Sequence, residues 1–187
     1  MIAQSPTQTV KRATGAGLLL VMLAVAQIVP IGLALLVNFG GIQDQVVRAL
    51  DRNPEPLGEA GALVIVLGAN VAGFIAFVAA IILAVLAPKV GRGSKPAGSA
   101  ARVVGGALLL WSAVVTVINP LGGPLTLLAP AADTNNTLSG RQFQEQLNNA
   151  LPGWIQPTQI GFAVLTAVLV IAIFVSIGQA SAAARRS

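Results

Sequence analysis

The sequence predicts an all-α, polytopic membrane protein with four transmembrane helices and two short amphipathic helices outside the membrane. Three observations carry that expectation. Of the 187 residues, 55% are hydrophobic and only 9% are charged, whereas a soluble domain carries about 25% charged residues. The mean hydropathy is +0.82. Four long runs hold no Asp, Glu, Lys or Arg and together occupy more than half of the chain, and a run of about 18 apolar residues is enough to cross a bilayer. A water-soluble globule is excluded. The length left over has no room for a second domain, so residues 1–187 are expected to form a single membrane domain.

The first run, 15–39, follows Lys11 and Arg12. Ala24-Val25-Ala26 before Gln27 imitates the cleavage site of a secretory leader, but apolar sequence continues to Val37, so the segment reads as an uncleaved first helix. The second run, 61–87, is closed by Pro88. The third, 103–128, carries Asn119-Pro120 late in its course, and the fourth, 160–178, follows Pro152, Gly153 and Pro157. The first three exceed the roughly 20 residues needed to span, so tilt, bending or extension beyond the membrane surface is expected of them.

Charge sets the expected orientation. Lys11 and Arg12, then Lys89, Arg92, Lys95 and Arg102, then Arg185 and Arg186 flank the runs on one side. All six acids, Asp44, Asp51, Glu55, Glu59, Asp133 and Glu145, lie in the other two connections with Arg48, Arg52 and Arg141. The positive-inside rule then puts both termini and loop 88–102 in the cytoplasm, and loops 40–60 and 129–159 outside. The sides carry +8 and −3, which recover the net +5. These basic residues hug the membrane in short segments rather than forming a folded face, so anionic lipid head groups account for them and nucleic acid is not expected as a partner.

Sliding the chain by 90 residues sets 15–32 over 105–122 without a gap, with eight identities in eighteen positions, Pro30 over Pro120 among them. Two copies of a helix, exoplasmic segment, helix unit would be related by an axis along the membrane normal, a parallel repeat.

Both exoplasmic segments contain a helical stripe. Ile42, Val46 and Leu50 recur every four residues before Asn53-Pro54, and Phe143, Leu147 and Leu151 do the same before Pro152-Gly153, with Ser139 and Gln142 at capping-box spacing. Such stripes pack on the chain's own helices or dock a partner, and they are the candidate partner-docking residues. Asn135-Asn136-Thr137 has the form of a glycosylation sequon.

Chemistry has few parts to work with. The chain has no Cys and no His, which removes disulfides, Cys/His zinc sites and a His base. No catalytic residue, metal site or cofactor is expected, and no enzyme activity. Polar residues well within the runs include Gln27, Asn70, Ser112, Thr116, Asn119, Thr166 and Ser176, with Asn38 and Gln179 at the edges, all uncharged, so a proton relay lacks a titrating group. Small residues Gly68, Ala69, Gly73, Ala76 and Ala80, with Asn70 among them, mark a helix-packing face in the second run, and Ala72, Ala76, Ala80 and Ala84 extend it as a stripe of fourth residues. Ser112, Thr116 and Asn119 share one face of the third. The expectation is a non-catalytic accessory or assembly subunit in a bacterial plasma membrane, in contact with the bilayer and with other membrane subunits. The alternative is a small oligomeric channel or uniporter lined by Ser112, Thr116 and Asn119.

Overall fold

In a computed structural model, residues 6–51, 58–114 and 140–184 are described. They form seven helices: α1 (Pro6–Ala26), α2 (Ile28–Phe39), α3 (Ile42–Leu50), α4 (Gly58–Gly91), α5 (Lys95–Ala113), α6 (Gly140–Ala150) and α7 (Ile155–Ala184). No strand occurs among the described residues. Three helical stretches are long and apolar enough to cross a membrane: Thr14–Phe39, Gly61–Gly91 and Ile155–Ala180. The protein is therefore a multi-pass helical membrane protein in contact with lipid. The expected third span, 103–128, is helical from 103 to 113, and its remainder from 115 lies outside the described residues, as do Pro120 and the second half of the expected repeat.

The first span is not one continuous helix. Pro30 has no N–H for the Ala26 carbonyl and its ring crowds that position, and the strain is taken up at Gln27, between α1 and α2. There the Gln27 N–H turns to the Ala24 carbonyl at 3.2 Å, a three-residue step. The Leu23 carbonyl loses its usual backbone donor and accepts instead from Gln27 Nε2 at 3.3 Å. Gln27 is buried, so its side chain repairs the break that its backbone makes.

Pro88 does not end the second span. It lies inside α4, which continues to Gly91, and the stop is made by Gly93 at φ 80°. Gly93 N–H bonds the Val90 carbonyl at 2.8 Å and Ser94 N–H the Lys89 carbonyl at 3.1 Å, the paired bonds of a Schellman cap. Lys95 already begins α5, with Pro96 tolerated in its first turn. The expected loop 88–102 is thus mostly helix, joined by residues 92–94.

By its packing the chain divides into two compact units, Met1–Val29 with Ile75–Ser112 and Phe162–Ser187, and Pro30–Phe74 with Ala113–Gly161. In the first unit, Ala16, Leu20 and Leu23 of α1, Ala79, Leu83, Ala87 and Val90 of α4, Ala97, Ala101 and Leu108 of α5, and Val170, Ile173 and Ile177 of α7 form one buried core. Glycines set the α5 to α7 spacing: a Cβ at Gly98 would lie 3.3 Å from Ile177 Cγ2, and one at Gly105 3.4 Å from Val170 Cγ1. In the second unit, Val37, Ile42, Val46, Leu50, Leu147, Ala150 and Ile155 form the core. Gly41, at φ 73°, turns the chain from α2 into α3. Asp44 in the first turn and Arg48 in the last suit the dipole of that short helix. At Gly61, the first residue of the second span, a Cβ would run into Leu50 Cδ1.

Candidate functional site

The polar residues of the spans are the only chemistry the membrane part offers, and the structure places two of them together. In the second unit, α2 and α4 meet where Gly73 faces Ala34: a Cβ at Gly73 would lie 2.8 Å from the Ala34 Cβ. One turn along each helix, Asn38 and Asn70 form an amide pair. Asn38 Nδ2 donates to Asn70 Oδ1 at 2.8 Å and to the Ala34 carbonyl at 2.7 Å, and Asn70 Nδ2 donates back to Asn38 Oδ1 at 3.5 Å. Glycine permits the close approach, and the amides fasten it. A double-mutant cycle with Asn38→Leu and Asn70→Leu is expected to give a coupling of about 0.6 kcal/mol, the average for such bonds in a membrane. Additive single effects in an unfolding titration would show the pair to be uncoupled.

Of the other small residues expected to form a packing face, Ala76 is buried, while Ala69 and Ala80 are half-buried. Gly68 is exposed, with nothing within 4 Å of a Cβ built on it. Gly73→Leu should therefore cost roughly 1–3 kcal/mol by overpacking, and Gly68→Leu should be tolerated. Equal unfolding midpoints for the two variants would remove the α2 to α4 seam.

Comparison with protein families, curated proteins and solved structures finds no match to this chain. The site is accordingly read from its own geometry.

Among the described residues, the buried polar ones of the first unit are Gln27, Ser112 and Thr166. Gln27 serves the break in the first span. Thr166 is fully buried on α7, and its Oγ1 has no hydrogen-bond partner among the described residues. Ser112 lies on α5, whereas Thr116 and Asn119, expected to share its face, lie outside the described residues. No group of three or more metal-ligating side chains gathers among the described residues.

The candidate docking stripes are placed inside the protein. Ile42, Val46, Leu50 and Leu147 are buried in the core of the second unit, with Leu151 packed against it. The Phe143 side chain lies outside the described residues. A stripe that faces its own core leaves only its polar side for a partner, here Gln43, Asp44, Gln45 and Arg48 of α3, all exposed. Sequence reasoning noted Asn38 only at the edge of its span and gave it no partner. Its signal was an amide one turn from a small residue, Ala34, the same arrangement as Asn70 beside Gly73.

Proposed function

We propose that the protein is a non-catalytic accessory or assembly subunit of a larger complex in a bacterial plasma membrane. It would have four spans, the third at 103–128, and both termini in the cytoplasm. The observation that carries the functional reading is the use made of the polar groups. Gln27, Asn38 and Asn70 are engaged with carbonyls or with each other, as structural fasteners would be. Large apolar side chains such as Phe74, Phe77, Ile81 and Val168 are meanwhile exposed along the spans, where lipid or neighbouring subunits would cover them. The orientation rests on the charge partition: Asp and Glu are absent from the whole first unit, which holds eight of the eleven basic residues.

Mild-detergent purification followed by identification of what remains bound tests the functional reading, with a stable set of membrane partners as the expected result. A cysteine at Ser94 should react only from the cytoplasmic side and one at Thr137 only from outside. One specific observation favours the channel alternative: the buried Thr166 hydroxyl, without a partner among the described residues, a group that a passing ion or water would satisfy. A lone oligomer that conducts ions in liposomes, with flux abolished by Ser112→Leu, Thr116→Leu or Asn119→Leu, would replace the accessory reading.

A further inference from the structure

We infer that the exposed face of α5, with the flank of α7 beside it, binds the phosphate of one anionic membrane lipid, and that Arg102 is its main ligand, with Ser99 and Lys95 completing the site. The sequence alone leaves Arg102 at the end of a loop, 88–102. The structure places it two turns into α5, alongside a membrane span.

Register gives its depth. A Cβ at Gly98 would meet Ile177 at 3.3 Å, and one at Gly105 would meet Val170 at 3.4 Å and Phe174 at 3.5 Å, so α5 and α7 run antiparallel and Arg102, midway between the two glycines, is level with Ile173 to Val175. The span that holds those residues has 26 residues and ends at Ala180, and it measures about 39 Å against about 30 Å of hydrocarbon. The Arg102 backbone therefore lies just inside the hydrocarbon boundary. Side chains of a helix lean toward its N-terminus, which for α5 is the head-group end, so the guanidinium returns to the level of the phosphates.

The face is built for an amphipathic ligand. Lys95, Ser99 and Arg102 are all exposed and, at steps of four and three, share one side of α5. Deeper in the membrane the exposed residues of α5 are Val103, Ala107 and Leu110, all apolar, as acyl chains require. Two glycines hollow the adjoining furrow: a Cβ at Gly106 would come no nearer than 4.0 Å, to Phe174 Cζ, and one at Gly178 would meet nothing within 4 Å.

Charge completes the assignment. The first unit contains no Asp or Glu anywhere in its sequence, so no acidic side chain of that unit neutralises Arg102. A cation at this depth calls for a counter-ion, and a lipid phosphate in the surrounding leaflet stands at that level with two oxygens for the planar guanidinium.

The test uses the full chain in mild detergent, titrated with phosphatidylglycerol or with phosphatidylcholine of the same acyl chains and read by native mass spectrometry. One phosphatidylglycerol per chain is expected, with about thirtyfold preference over phosphatidylcholine for two charges near the surface. Arg102→Gln should lower that preference about fivefold, and Arg102→Gln with Lys95→Gln should abolish it. Lys89→Gln with Arg92→Gln removes as much charge from the end of α4 and should leave the preference unchanged. Gly106→Leu and Gly178→Leu, where a Cβ is uncrowded, should fill the furrow and weaken phosphatidylglycerol binding. A photoreactive acyl chain on that lipid should label residues 103–110 and 171–178. Equal binding of the two lipids by the unaltered chain would overturn the proposal, as would an equal loss of preference in the α4 pair, full retention of phosphatidylglycerol by both folded filling variants, displacement of the lipid by millimolar inorganic phosphate, or labelling confined to other helices. A protein partner released by Arg102→Gln with lipid binding unchanged would give the guanidinium to an acidic subunit and overturn it too.

Discussion

Val46→Asp is expected to unseat α3 and destabilise the protein by roughly 3 kcal/mol or more. Val46 is fully buried, in the middle of a core that includes Val37, Ile42, Leu50 and Leu147. A carboxylate there loses its hydration with no cation in that core to replace it, so either the group takes up a proton or the helix swings out into water. The first leaves an unpaired polar group in the core, and the second surrenders the apolar burial of α3 against α6. Gln45→Asp, one residue away and exposed, should stay within about 0.5 kcal/mol. Hydrogen exchange over 42–50 and 140–150, alongside an unfolding titration, separates the two, and equal protection would show the stripe to be unburied. Insertion should survive in both variants because the apolar spans carry it independently. A loss of partners in Val46→Asp would consequently report a collapsed core, so docking is better probed at Gln43 or Arg48.

Gly17→Leu is expected to cost about 2–3 kcal/mol, whereas Gly15→Leu, two residues earlier on the same helix, should be neutral or mildly stabilising. The difference lies in the neighbours. A Cβ at Gly17 meets the Ala87 carbonyl oxygen at 2.9 Å and Gly91 Cα at 3.2 Å. Both are backbone atoms of a helix and cannot rotate aside, so α1 must shift and loosen Leu20 and Leu23 in the core. A Cβ at Gly15 meets nothing within 4 Å, and replacing glycine in a helix removes its propensity penalty of about 1 kcal/mol. Thermal unfolding in detergent checks the pair. Similar midpoints would mean that α1 and α4 do not approach this closely.

Three of the four long apolar runs, 15–39, 61–87 and 160–178, were the most legible part of the chain, because about twenty residues without a charge have few other uses. Their ends were less so. Pro88 read as a stop, yet proline blocks only the bond to the carbonyl four residues back, and the α4 cap is made by Gly93. The amphipathic helices were legible from Ile42, Val46 and Leu50, but which neighbour covers such a stripe is a tertiary matter that periodicity does not encode.

The small-residue stripe shows the limit most clearly. Steps of four residues advance by 400°, so Ala72, Ala76, Ala80 and Ala84 rotate about 40° per step around the helix. They pass from half-buried through buried to exposed. The buried line follows the mixed spacing of Gly73, Ala76, Ala79, Leu83, Ala87 and Val90. The Asn38 to Asn70 pair joins residues 32 apart, a separation with no local signature.

The three-residue connection at 92–94 has a consequence for how the protein keeps its orientation once made. Lys89, Arg92 and Lys95 lie at or beside this turn and Arg102 two turns into α5, and so short a link cannot let α5 move to the other side of the membrane without taking the end of α4 with it. Reversal would drag all four cations through hydrocarbon together. At about 2.5–3.5 kcal/mol each near mid-membrane, the barrier is on the order of 10 kcal/mol above that of moving an uncharged hairpin. With the proposed third span in place, the turn is expected to act as a ratchet during biogenesis: whichever face it is first left on is the face it keeps.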